Sequence, residues 1–454
     1  MKSLNYDYIV KLDLYDICLA IIYFAIIYII AFFYKRTKIK NNPEYKYFIL
    51  ALTLKVFGGV MFALLTIFYY KGGYTMGYFH GAVNLSNAIL ERPIEGVEIF
   101  FSRFYNDMVI KDNSVVESFY FMNINATDVL TIVKITTIIN LMGLYSYGAT
   151  TIIFSSISFL GVWVAYSSFC KIYPQLSKSL LVGFFMVPTI IFWGSGILKD
   201  TVTISCIGWM IYGIANIFIF KRKVALSVLI IIVASIFIFL LKSYLLYLLI
   251  PSLLIWAQSN IKNLIKGSFI RIVFVPIIIT LFGTSTFLIL SDVSANAGKY
   301  DVNNLEKTLE GFQQWHGQLN ESLDQSGYSL DEMEYTPLGL LKITPSALNV
   351  TFFRPYLWEV RNIPTLIGAF ESFILLLFFV YLLVKLRGRF FIIISKNKEV
   401  LFLLIFALTF GVIVGISSYN FGALSRYKMP SQMLFVIALT IIYQTSKKGY
   451  KKIN

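Results

Sequence analysis

Residues 190–206 read IIFWGSGILKDTVTISC. Aromatic and aliphatic residues run up to Trp193, Gly-Ser-Gly breaks the run, and Lys199 and Asp200 stand side by side before a second apolar stretch begins. A helix needs about 20 apolar residues to cross the hydrocarbon core of a bilayer. The stretch therefore reads as the hinge of a hairpin between two membrane spans, 179–197 and 201–220. The rest of the chain supports that reading. Of its 454 residues 57% are hydrophobic and 14% are charged, against about 25% charged in an ordinary soluble domain. The fold class is an all-α polytopic membrane protein, residues 1–454 forming one integral membrane domain.

The formal net charge of +15 does not point to nucleic acid. The Lys and Arg residues sit in short clusters between apolar segments, where they set topology. The three cysteines, Cys18, Cys170 and Cys206, lie in or beside apolar runs and fit neither metal-ligand spacing nor a disulfide framework. They read as packing residues. No small-residue cleavage site follows the first apolar run, so that run reads as a retained membrane helix.

Eleven spans are expected, near 14–34, 48–70, 148–168, 179–197, 201–220, 224–241, 244–257, 271–290, 367–385, 399–416 and 429–444. The span at 244–257 is short for the task. With eleven spans and an outside N-terminus, the clusters KRTKIK (35–40), KRK (221–223), NIKNLIKGSFIR (260–271), KLRGR (385–389), KNK (396–398) and KKGYKK (447–452) all face the cytoplasm. A twelfth span at 129–146 breaks that agreement, so this stretch is expected to lie in the outer interface. Two large outer loops result, 71–147 and 291–366. Residues 301–334 are acidic and polar, and are expected to be loosely folded. Residues 336–353, bounded by Pro, are expected on the membrane surface.

Charged residues recur at the outer membrane edge. Lys199 and Asp200 occupy the opening hinge, with Gly194 and Gly196 allowing close approach and Pro188 opening the preceding helix. Lys242 and Tyr244 mark the next outer turn. Arg354, Glu359 and Arg361 precede the span at 367, with Glu371 in its first turn. Asn420, Arg426 and Lys428 stand in the last outer turn. Ionisable groups near membrane depth are costly and are usually paired or functional. Taken together they describe an anion site, with Lys199, Arg354 and Arg426 as neighbours around one phosphate. The plainer reading is a snorkelling Lys199 with a capping Asp200, and Arg354 paired locally with Glu359. In the first outer loop, YYKGGYTMGYFHGAVNL (69–85) offers Tyr and His80 for stacking on sugars. Glu91, Glu95 and Asp107 are the candidate catalytic carboxylates, among others at Glu98, Asp112, Glu117 and Asp128; any could act as base or bind a divalent cation.

The segments PTIIFWGSGILKD (188–200), FFRPYLWE (352–359) and NFGALSRYKMP (420–430) resemble the outer-turn segments of GT-C-type glycosyltransferases and related oligosaccharide polymerases of bacterial surface polysaccharide synthesis. The resemblance implies a GT-C-like fold and a polyprenyl-phosphate-linked sugar or oligosaccharide as donor, with an acidic residue early in the first outer loop. In KGGYT (71–75), Tyr74 stands where that resemblance implies an Asp. A membrane glycosyltransferase or repeat-unit polymerase is the leading expectation. A flippase of lipid-linked glycans and a non-enzymatic partner in envelope assembly are the alternatives.

Overall fold

The computed structural model describes residues 12–102, 127–261, 327, 328, 330 and 337–447. Within these the chain is helical throughout: α1 (Leu14–Lys38), α2 (Phe48–Phe68), α3 (Tyr74–Glu91), α4 (Pro93–Phe101), α5 (Thr127–Met142), α6 (Tyr147–Ile172), α7 (Ser177–Leu181), α8 (Pro188–Trp193), α9 (Lys199–Ile214), α10 (Val224–Ile261), α11 (Pro337–Phe353), α12 (Ile363–Leu386), α13 (Arg389–Lys396), α14 (Lys398–Ser417), α15 (Phe421–Tyr427) and α16 (Met429–Thr445). Seven of these helical runs are long and apolar enough to cross a membrane, and α16 is a shorter apolar helix. Their apolar side chains also face outward. Leu14, Ile21, Ile30 and Phe33 of α1 are each at least 60% exposed, which suits a surface solvated by lipid.

The chain divides into two compact units. The first comprises Met1–Ser167, Ile191–Trp209 and Ile236–Lys242. Its core joins Phe62 and Ile67 of α2, Tyr78 and Leu85 of α3, Ile132 and Val133 of α5, and Ile197 and Leu198 of the hinge. The stretch 129–146, expected at the interface, is mostly α5, and it buries one face against α3. Asn140 Nδ2 there donates to Ser86 Oγ at 3.1 Å. Helices α6 and α9 meet through small residues. A Cβ on Gly208 would lie 2.2 Å from the Gly161 carbonyl oxygen, so the two backbones touch.

The second unit comprises Ser168–Ile190, Met210–Ser235 and Ser243–Asn454. Helices α14 and α16 form its centre, and Phe169, Trp256 and Phe402 stack beside them, the last two rings 4.7 Å apart. Helix α11 covers most of the stretch expected on the membrane surface. It packs along α14, where Thr351 Oγ1 donates to the Gly411 carbonyl at 2.6 Å and a Cβ on Gly415 would sit 2.3 Å from the Ala347 carbonyl.

Three expected spans differ in the structure. Residues 179–197 are not one helix; they are α7, a π turn Val182–Met186 and α8, with Val187 extended between the last two. Pro188 has no N–H to continue the ladder and disfavours the helical conformation in Val187. The spans at 224–241 and 244–257 form the single run α10, interrupted at Lys242 with φ −156° and ψ 71°. Of residues 301–334, expected to be loose, Tyr328 is buried; its amide donates to the Tyr419 carbonyl at 3.1 Å and its hydroxyl to the Gly415 carbonyl at 2.8 Å. The span at 271–290 lies outside the described residues.

Candidate functional site

In the first unit the hinge at 194–198 is a turn in which side chains capture the Gly194 and Ser195 carbonyls. Helix α8 stops at Trp193, and Thr201 Oγ1 caps the Trp193 carbonyl at 3.3 Å. Ser155 Oγ of α6 donates to the Ser195 carbonyl at 2.7 Å. Lys55 Nζ of α2 donates to the Gly194 carbonyl. The glycines make this approach feasible. A Cβ on Gly58 would lie 1.9 Å from the Ile191 carbonyl oxygen, and one on Gly196 would lie 2.2 Å from the Phe62 ring.

Helix α9 then opens with Lys199 and Asp200, and the two do not pair with each other. Successive residues on a helix point about 100° apart, so each reaches a different neighbour. Lys199 Nζ bonds Asp128 Oδ2 at the start of α5, and its ammonium lies 5.9 Å from the Tyr78 ring centroid. Asp200 Oδ1 bonds Lys242 Nζ at the interruption of α10. The two pairs differ in access. Side-chain exposure is 18% for Lys199 and 34% for Asp128, but 10% for Lys242 and 5% for Asp200. The first pair can meet a ligand, whereas the second is sealed and holds helices together.

The second unit gathers the other expected residues around the turn after α11. Arg354 is closed by Glu359, with Nε 3.0 Å from Oε1 and 3.1 Å from Oε2, and its guanidinium lies 5.5–5.8 Å from the Tyr328, Tyr356 and Phe421 ring centroids. Lys428 is buried, and its Nζ lies 3.3 Å from both the Arg354 carbonyl and Ser372 Oγ. Burial pushes its ammonium down to about 8, with Glu371 opposing. Glu371 accepts from the Thr189 amide at 2.6 Å, from Thr189 Oγ1 at 2.7 Å and from Gln432 Nε2. Asn420 caps α15, accepting from Gly422 and Ala423 amides at 2.8 and 3.1 Å. Arg426 Nη2 donates to the Tyr427 hydroxyl at 2.9 Å. Tyr244 stacks on Phe410 at 6.1 Å, and Arg361 is exposed.

The expected phosphate ligands are therefore divided between the units, with Lys199 and Lys242 in the first and Arg354, Arg426 and Lys428 in the second. Local partners account for most of them. Of the expected carboxylates, Glu91 is exposed at the end of α3, Glu95 pairs with Arg92 at 3.2 Å, and Asp107 lies outside the described residues. His80 is half-buried, its ring 6.2 Å from that of Phe79. Among the described residues no three His, Cys, Asp or Glu side chains group to hold a metal ion, so the donor set for a divalent cation is not assembled there. Sequence reasoning missed Lys55, and it named Glu371 without its partners Thr189 and Gln432. A lysine eight residues into an apolar helix was the available signal for the first; nothing in the spacing links Glu371 to those partners.

No protein-family model, curated protein or solved structure matches this chain. What the helices and their exposed apolar surface define is a multi-pass, all-helical membrane protein.

Proposed function

We propose that this protein is a membrane glycosyltransferase or oligosaccharide polymerase of cell-surface polysaccharide synthesis. Its donor is a polyprenyl-phosphate-linked sugar, taken at the periplasmic face of a bacterial inner membrane. The observation that carries the reading is the Lys199–Asp128 pair beside Tyr78. It sets a partly open cation and carboxylate against the buried ring of Tyr78. Lys199 spends one N–H on Asp128 and has two more for phosphate oxygens. Asp128 takes the role looked for in Glu91, Glu95 and Asp107. Its carboxylate accepts the proton of an acceptor hydroxyl as that oxygen bonds the sugar's anomeric carbon. The bond from that carbon to the donor phosphate oxygen breaks, its electron pair goes to the phosphate, and Lys199 stabilises the developing charge. The test is transfer of sugar from polyprenyl-phosphate donors by the purified protein in proteoliposomes. Asp128→Asn and Lys199→Ala should each lower the rate about a hundredfold or more, and Glu91→Gln should leave it unchanged. Full activity in Asp128→Asn overturns the assignment.

A second reading is a flippase of lipid-linked glycans, which needs polar groups inside the spans. Lys55 in α2 and Glu371 in α12 are such groups, both buried. Movement of a labelled lipid-linked glycan between leaflets, without sugar transfer, would favour it.

A further inference from the structure

The turn joining α12 to α14 carries five cations in fourteen residues, KLRGRFFIIISKNK (385–398), and no carboxylate. All five, Lys385, Arg387, Arg389, Lys396 and Lys398, are exposed. Between them lies α13, a short helix that turns Phe390 into the protein and leaves Phe391 66% and Ile392 50% exposed. Because α12 and α14 both qualify as spans, α13 sits where the chain re-enters the membrane. The end of α16 adds a further charge to the same place. The Tyr443 ring lies 5.2 Å from Lys385 Nζ and 4.5 Å from Lys447 Nζ, so two ammonium groups share one ring. Lys385 also donates to the Tyr381 hydroxyl at 2.7 Å. Like charges gathered this closely on an open surface repel one another unless an anion lies among them.

We propose that residues 385–398 and Lys447 form a docking surface for anionic phospholipid headgroups. Phe391 and Ile392 enter the boundary between headgroups and acyl chains, as in an amphipathic interfacial helix. The cations meet the phosphates of the same leaflet, and Tyr381 and Tyr443 hold Lys385 and Lys447 at headgroup level. The surface lies apart from the Lys199–Asp128 pair in sequence and does not depend on the proposed transferase activity. It makes the protein's stability and placement responsive to the charge of its lipid.

The test uses the full chain in neutral detergent, titrated with phosphatidylglycerol or with phosphatidylcholine, and counts retained lipids by native mass spectrometry. Wild type should retain phosphatidylglycerol and release phosphatidylcholine. Each of Arg387→Gln, Arg389→Gln and Lys396→Gln should weaken retention about fivefold, and the three together about a hundredfold. Phe391→Ser, which keeps every charge, should weaken it for both lipids. A matching triple change at Lys35, Arg36 and Lys38 on α1 should leave retention at this site intact. Melting in phosphatidylcholine alone reports whether each variant folds, and the single variants decide if the triple does not. Equal retention by wild type and the Gln variants, or equal retention of the two lipids by wild type, overturns the proposal.

Discussion

Lys55 shows how a charged side chain is accommodated inside an apolar helix. It is 3% exposed, and its hydrogen-bond partner is a backbone carbonyl, Gly194, rather than a carboxylate. That carbonyl belongs to a turn where no helical N–H reaches it, so the ammonium completes the backbone's hydrogen bonding. Lys55→Met keeps the stem and removes the donor. It should lower stability by about 1–3 kcal/mol, the cost of an unsatisfied buried acceptor, read from unfolding in detergent. A gain in stability would mean that the cost of burying the charge outweighs the bond. Glu371 is the complementary case, a buried acceptor serving three donors. Glu371→Gln replaces one acceptor oxygen with an NH2 group that faces donors, and should cost about 1–3 kcal/mol in the same measurement.

Between elements, close backbone approach and one sealed ion pair do the joining. Gly161 and Gly208 let α6 and α9 touch, and a side chain at either must push the helices apart. Gly208→Val should therefore destabilise the protein by about 1–3 kcal/mol or more, seen as a lower melting temperature. The Asp200–Lys242 pair ties the start of α9 to the interruption of α10. Removing Lys242 takes the ammonium away from a buried carboxylate, so Lys242→Met should cost about 3–5 kcal/mol. The double variant Asp200→Asn, Lys242→Met should recover much of that loss. If the double variant is as unstable as the sum of the singles, the pair is not coupled as the structure describes it.

At the scale of the molecule the prediction concerns orientation in the membrane. From the Lys and Arg clusters, 71–147 and 291–366 are expected outside, and 35–46, 258–271 and 386–398 inside. Leu90, Lys40, Trp358 and Ile392 are all exposed and fall on both sides of that division. Cys18 is exposed and must first be replaced, whereas Cys170 and Cys206 are buried. A membrane-impermeant thiol reagent applied from the periplasm should then label cysteines at 90 and 358 and spare those at 40 and 392. Labelling at 40 and 392 alone would invert the arrangement.

Much of the architecture was legible from one-dimensional features. Long apolar runs determine α1, α2, α6, α9, α12 and α14, because a bilayer admits little else than helices satisfied within themselves. Pro188 foretold a break, since a missing N–H is a local property. The candidate site was legible only in its ingredients. Lys199, Asp200, Lys242, Arg354 and Glu359 could be named from their chemistry and position, and so could Asp128. That Lys199 takes Asp128 while Asp200 takes Lys242 depends on helical phase and on which helices touch. Partnership between residues 71 and 42 positions apart is set by packing that no local pattern encodes. The sequence by itself determined the helices and the inventory of charges; the tertiary structure decided the pairing, because a side chain's partner is whatever the fold brings within about 3 Å of it.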